Sequence, residues 1–203
     1  HLMDTGFAEG SGSADILITS SENNLIYDIG DPTLKNLAAC IFVPASGRTK
    51  IVNNTLNGAL AGVDSWGGNI GPHTIQNNII SNMRGYGLSD VLIAENPTLL
   101  HSYNLYYGNA WDYGPGAVPG EREFIGDPKF VNTGAGNYHL KSGSPAIDVG
   151  LDVGLPFSGI APDMGAFEYG SADYYVNSIT GDDTHSGRAA VFNGTDGPWK
   201  TID

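Results

Sequence analysis

The chain has 203 residues, enough for one domain with a sizeable core and short for two ordinary ones. Lys and Arg total 9 against 22 Asp and Glu, a formal net charge of −13, so polyanionic nucleic acid is repelled and a nucleic-acid partner is not expected. Only 15% of residues are charged while 29 are glycine, which excludes a helical bundle and points to a turn-rich β protein.

The first residues, His1 to Gly6, lack a basic stretch followed by an apolar one, so no signal peptide is expected within this sequence. No apolar run approaches the roughly 18 residues of a membrane span. The acidic, Lys-poor composition suits extracellular life, with any export signal lying outside this sequence.

In chain order the first feature is a repeat. Ile18 to Ile26 contains Asn23-Asn24, Ile51 to Leu56 contains Asn53-Asn54, Thr74 to Ile80 contains Asn77-Asn78, and Ser102 to Tyr106 contains Asn104. Asn24, Asn54, Asn78 and Asn104 recur at about 24–30 residues, a solenoid period with loop insertions. Each unit reads as a short strand, an asparagine corner and a second strand, then a third strand such as Ala61 to Trp66 or Tyr86 to Val91. Three short strands per turn is the requirement of a parallel β-helix. Asparagine suits the corner because it tolerates the left-handed region, and stacked amides can hydrogen-bond along the stack. No segment keeps a 3.6-residue apolar period free of Gly or Pro, so helix is disfavoured.

Cys40, the only cysteine, lies in the apolar run Ala38 to Val43 and reads as a buried structural thiol.

Further along come three blocks: Gly126-Asp127-Pro128-Lys129-Phe130-Val131-Asn132, Tyr138 to Gly150, and Ala161 to Tyr169. Together with the asparagine repeats they resemble the C-terminal end of secreted bacterial right-handed parallel β-helix proteins of the pectate-lyase-like kind, over most of residues 14 to 169. The resemblance implies that these blocks form the last coil and its closing cap. The tail, Asp173 to Ser178 with Gly181 to Gly187 and Gly197 to Ile202, is similar to the opening strand and entry of such proteins. The beginning thus follows the end, giving two expected segments, 1–170 and 171–203. Three explanations stand side by side: a fragment straddling two tandem domains, a circular permutant, or a subunit whose tail caps a neighbour. A capping exchange between copies would add strands to an open edge and propagate head to tail into a filament.

The resemblance also implies a sugar groove along the third strand of each coil, and a secreted bacterial polysaccharide lyase, glycoside hydrolase or polysaccharide-binding protein. On that face the expected catalytic residues are Asp64, Asp90 and Arg84, and the expected substrate contacts are Trp66, Tyr86, His73 and Lys50. An indole offers an apolar plane to a sugar ring, and the neighbouring Asp64 can bond hydroxyls, hold calcium or act as acid or base. Asp64 and Asp90, one coil apart, would suit the paired carboxylates of hydrolysis, whereas a lyase would draw on Arg84, Arg48 or Lys50. Each of these side chains is equally readable as a solvated surface group. A non-catalytic structural solenoid is the alternative function.

The histidines lack zinc-ligand spacing, so no metal site is assigned. Gly181-Asp182-Asp183 to Gly187 offers oxygen ligands for calcium but lacks EF-hand spacing, and an Asx-type turn is the simpler reading. Phosphate-cradling loops, a serine elbow and dinucleotide fingerprints are missing from the sequence.

Overall fold

The computed structural model describes residues 20–27, 39–43, 49–65, 73–88, 100–114, 118–171, 177–185, 192 and 197–201. Among them there is no α-helix, and the chain is all-β. The first repeat comprises β1 (Ser20–Glu22), β2 (Leu25–Tyr27) and β3 (Ala39–Val43), and the second β4 (Lys50–Val52), β5 (Thr55–Asn57) and β6 (Ala61–Ser65). The third holds β7 (Thr74–Gln76), β8 (Ile79–Ser81) and β9 (Tyr86–Leu88), the fourth β10 (Leu100–Ser102), β11 (Leu105–Tyr107) and β12 (Trp111–Tyr113), and β13 (Phe124–Ile125) follows. Equivalent strands stack into three parallel sheets: sheet A in the order β1-β4-β7-β10, sheet B β13-β11-β8-β5-β2, and sheet C β12-β9-β6-β3. Parallel neighbours require a long crossover, which here is the rest of each repeat. This arrangement fits a parallel β-helix.

The corner between sheets A and B divides its work between two residues. The left-handed turn is made by Asn23, Asn53, Asn77 and Tyr103, at φ 54°, 54°, 58° and 55°. The following residue, Asn24, Asn54, Asn78 or Asn104, forms the ladder. Its Nδ2 donates to the next Oδ1 at 3.2, 3.0 and 2.9 Å in turn. The same Oδ1 atoms accept the backbone N–H of the preceding ladder residue at 3.0, 3.0 and 2.9 Å. Strand spacing of about 4.8 Å is what one amide can bridge, and Asn54, Asn78 and Asn104 are 0% exposed. Left-handed conformation and amide stacking are thus properties of adjacent positions, not of one residue.

Ladder and register place the core. Ile26, Leu56, Ile80 and Tyr106 stack across sheet B, Ile51, Ile75 and His101 across sheet A, and Ile41, Val63, Leu88 and Tyr113 across sheet C. The aliphatic members form one buried cluster with Tyr106, Ala59 and Met83, each large side chain contributing about 1.5–3 kcal/mol. The space between sheets is narrow. A Cβ on Gly87 would lie 2.6 Å from the Asp112 carbonyl oxygen and 3.0 Å from the Tyr106 ring, and one on Gly62 2.6 Å from Ile80 Cγ2, so sheet C meets sheet B side chains through bare backbone. Cys40 Sγ lies 4.0 Å from the Ile26 carbonyl oxygen, and burial pushes its thiol up to about 12.

After β13 the chain leaves the stack. β14 (Phe130–Asn132) and β15 (Asn137–Leu140) pair antiparallel around a 3-10 turn at Thr133–Ala135. Leu140, Ala146 and Met164 then bury Ile79 and Leu105 in a second cluster. The Tyr138 hydroxyl accepts from Asn57 Nδ2 at 2.9 Å, the Ala166 N–H donates to Thr55 Oγ1 at 3.0 Å, and Gly165 N–H to the Asn77 carbonyl at 2.7 Å. Residues 130–169 therefore run back along the flank of sheet B as far as the first repeat, where the Tyr138 ring lies 5.1 Å from that of Tyr27, centroid to centroid. Asp148, Asp163 and Glu168 hold this segment by accepting backbone N–H groups: Ile160 to Asp148, Asp148 and Tyr169 to Asp163, and Asp163 and Ser158 to Glu168. Burial, first of the causes, pushes the Asp163 and Glu168 carboxyls up.

Residues 170–203 form a second compact unit. Asn177 N–H donates to the Trp199 carbonyl at 2.7 Å and Asp182 N–H to the Pro198 carbonyl at 3.0 Å. Asp182 Oδ1 accepts from Thr184 N–H and Oγ1, and Asp183 Oδ1 from Lys200 and Thr201 N–H. The Asp182 carboxylate thus makes a turn of the Asx type, whereas that of Asp183 ties this segment to Lys200 and Thr201. Tyr174, Tyr175 and Val176 lie outside the described residues.

Candidate functional site: the sheet C face and the closed end of the core

The most polar cluster closes the core. Arg122, at φ 52°, takes the left-handed corner, and β13 pairs Phe124 with Leu105. Glu123 therefore occupies the ladder position, and Asn104 Nδ2 donates to its Oε1 at 2.5 Å. Its Oε2 accepts from Gly120 N–H at 2.7 Å and the Tyr113 hydroxyl at 2.9 Å, and lies 3.1 Å from His101 Nδ1. The Tyr106 hydroxyl donates to Oε1 at 3.2 Å. The fourth repeat thus supplies His101, Tyr106 and Tyr113 where earlier repeats supply aliphatics, and all three converge on one carboxylate. Burial pushes the Glu123 carboxyl up, yet hydrogen bonds from His101, Asn104 and Gly120 outweigh it and hold the group below the usual carboxylate range. Burial, then the Glu123 charge, push the Tyr106 and Tyr113 hydroxyls up, keeping both as donors. The Glu123 side chain is 0% exposed, so the cluster satisfies an interior charge and presents nothing to a substrate.

The sheet C face is open. Tyr86 begins β9 and Trp111 begins β12, and they are paired in register with ring centroids 5.4 Å apart, tilted by 40°. Trp111 is 59% exposed. The register follows from Trp111 N–H donating to the Gly85 carbonyl at 3.1 Å. Arg84, exposed, precedes Tyr86 by two residues, and Asp112 beside Trp111 accepts from Asn109 Nδ2 at 2.9 Å. Two tilted rings in successive repeats offer aromatic surface to the apolar face of a sugar ring, and Arg84 and Asp112 are close to them in sequence.

Of the expected site residues, Asp64 on β6 and Tyr86 on β9 are strand positions of sheet C, and Arg84 stands two residues ahead of the first residue of β9. Asp64 is half-buried and pairs with Phe42 in register. Lys50 and His73 belong with sheet A. Lys50 Nζ lies 3.5 Å from Glu22 Oε1 and donates to the Val153 carbonyl at 3.2 Å. His73 is 0% exposed with neither ring nitrogen hydrogen-bonded, and burial holds its pKa below the ordinary value. Trp66, Asp90 and Arg48 lie outside the described residues, as does the Asp64–Asp90 spacing. Trp111 was not anticipated, although it lies 25 residues after Tyr86, within the spacing of the ladder.

Among the described residues no group of three or more His, Cys, Asp or Glu is arranged to hold a metal ion, and no helix is long and apolar enough to cross a membrane. No family model, no curated protein and no solved structure matches the chain.

Proposed function

We propose that this chain is a right-handed parallel β-helix of the pectate-lyase-like kind, extracellular, whose sheet C face binds polysaccharide. The supporting observation is the exposed Trp111 paired in register with Tyr86, their rings 5.4 Å apart, with Arg84 and Asp112 close in sequence. Exposed aromatic pairs of this kind gain by covering the C–H face of a sugar, and successive repeats match an extended chain of rings. Cleavage of the bound chain would fall to Asp64, Arg84 and Asp90, with a lyase relying on the guanidinium and a hydrolase on the two carboxylates.

The test is affinity electrophoresis and product assay on pectate, alginate, glycosaminoglycan and xylan, with wild type, Trp111→Ala and Arg84→Ala. Binding retarded by at least one polymer and lost in Trp111→Ala, with unchanged circular dichroism, is the expected result. Neither binding, unsaturated product nor new reducing ends on any of the four would remove the reading.

A second reading is a structural module assembling head to tail, favoured by the opening-like residues 170–203 forming a compact unit of their own. It requires mass growth with concentration in sedimentation, lost on deleting 172–203. A strictly monomeric chain disposes of it.

A further inference from the structure

Away from sheet C, the hairpin of β14 and β15 and the corner between sheets B and C enclose an open groove of about 320 Å³. One wall carries Lys129 and Lys141, with Asp127 and Ser142; the other carries Tyr107 and Asn82. The two lysines meet at the mouth of the hairpin, where Lys141 N–H donates to the Lys129 carbonyl at 2.9 Å just beyond the Phe130–Leu140 pair, with Lys129 itself in the left-handed region at φ 53°. In a chain of net charge −13 with only 9 basic residues, two of them meet at this groove. Among the described residues neither ammonium has a carboxylate within ion-pair distance. Lys129 Nζ is oriented by donating to the Gly143 carbonyl at 2.7 Å, which adds partial negative charge without neutralising the pair.

The opposite wall has a different chemistry. Tyr107 is 38% exposed at the end of β11. Its carbonyl accepts the Asn82 N–H at 2.8 Å, and Asn82 Nδ2 is fixed on Asn57 Oδ1 at 2.8 Å. Tyr107 and Asn82 therefore stand on rigid, stacked corners rather than on a loose loop. Paired cations face an aromatic ring, with an amide, a hydroxyl and a carboxylate between them for hydroxyl groups. That set matches a ring which is apolar on one face, hydroxylated at its edge and negatively charged. The volume, at the lower end of the roughly 300–1,000 Å³ of small-ligand sites, confines it to a short piece.

We propose that this groove binds one acidic sugar residue, its carboxylate or sulfate between Lys129 and Lys141 and its ring against Tyr107. The site shares no residue with the Tyr86–Trp111 ledge, so it stands or falls independently of the polysaccharide reading. Binding weakens as salt screens the two lysines.

Isothermal titration of the full chain with trigalacturonate, its methyl ester, a sulfated disaccharide and inorganic sulfate tests this. Trigalacturonate or the sulfated disaccharide is expected to bind, and which of them does so separates carboxylate from sulfate recognition. The methyl ester is expected to bind about tenfold more weakly or not at all. In a Trp111→Ala background, which removes any binding by the ledge, Lys141→Met weakens the acidic probe by about tenfold and Lys141→Arg retains it. Equal binding of the ester overturns the proposal. So does undiminished binding by a folded Lys129→Met, Lys141→Met double variant in the same Trp111→Ala background, or binding of neither acidic probe. Inorganic sulfate binding as tightly as the sugars overturns the assignment to a sugar ring.

Discussion

Replacing Asn78 by alanine removes the centre of the amide ladder. Asn78 Oδ1 accepts both the Asn54 N–H and Asn54 Nδ2, each at 3.0 Å, and Asn78 Nδ2 donates to the Ile51 and Gln76 carbonyls and to Asn104 Oδ1. With every ladder atom at this level excluded from solvent, water does not replace the lost acceptor without opening the stack. The two stranded donors cost about 1–3 kcal/mol each, so the variant loses about 2–6 kcal/mol of a total that for most domains is about 5–15 kcal/mol. Asn24→Ala, at the half-buried first position, removes one fewer coil's worth of partners and costs about 1 kcal/mol. Urea unfolding followed by far-ultraviolet circular dichroism, with the m-value held constant, measures both. An Asn78→Ala protein within about 0.5 kcal/mol of wild type, or no less stable than Asn24→Ala, would refute the reasoning.

Gly87→Ala forces a Cβ to within 2.6 Å of the Asp112 carbonyl oxygen and is expected to cost about 1–3 kcal/mol by the same assay. Glu123 ionises more readily in the folded than in the unfolded state. Its contribution is therefore full above the unfolded value of about 4.3 and lost as pH falls through the lower folded value. Glu123→Gln is expected to be less stable at pH 7 and to show a shallower decline through this acid range, measured by urea midpoints against pH. Cys40, its thiol pushed up to about 12, is expected to resist iodoacetamide at pH 8 in the native protein and to react on unfolding, as read by mass spectrometry.

The ladder was legible because its asparagines recur as a type and because strand spacing dictates what one amide can reach. Its last rung was not, since Glu123 carries a carboxylate in place of an amide and follows Asn104 after only 19 residues. The return of residues 130–169 along sheet B had a signal that periodicity alone overlooked. Leu25-Ile26, Ile79-Ile80 and Leu105-Tyr106 are consecutive apolar pairs rather than alternating ones, the mark of strands buried on both faces. Asp148, Asp163 and Glu168 were read within family-like blocks, and their physical role is to receive the backbone N–H groups of a segment without regular structure. His73, expected on a turn adjoining the groove, has an enclosed ring, and residue type alone does not reveal that enclosure. Trp111 was obscured by the Gly-Asn corner ahead of it, and register with Tyr86, not composition, brings the two rings together.

Exchange of the asparagine side-chain amide protons, followed site by site by nuclear magnetic resonance in deuterated water, bears most directly on the stacked-repeat architecture. Nδ2 protons of Asn54, Asn78 and Asn104, bonded between repeats and enclosed, should persist as long as the backbone amides of β5 and β8, with those of Asn24 exchanging sooner. Loss of all four sets at the rate of solvent-exposed amides, while the strand amides stay protected, would contradict the ladder and with it the stacking of the three sheets.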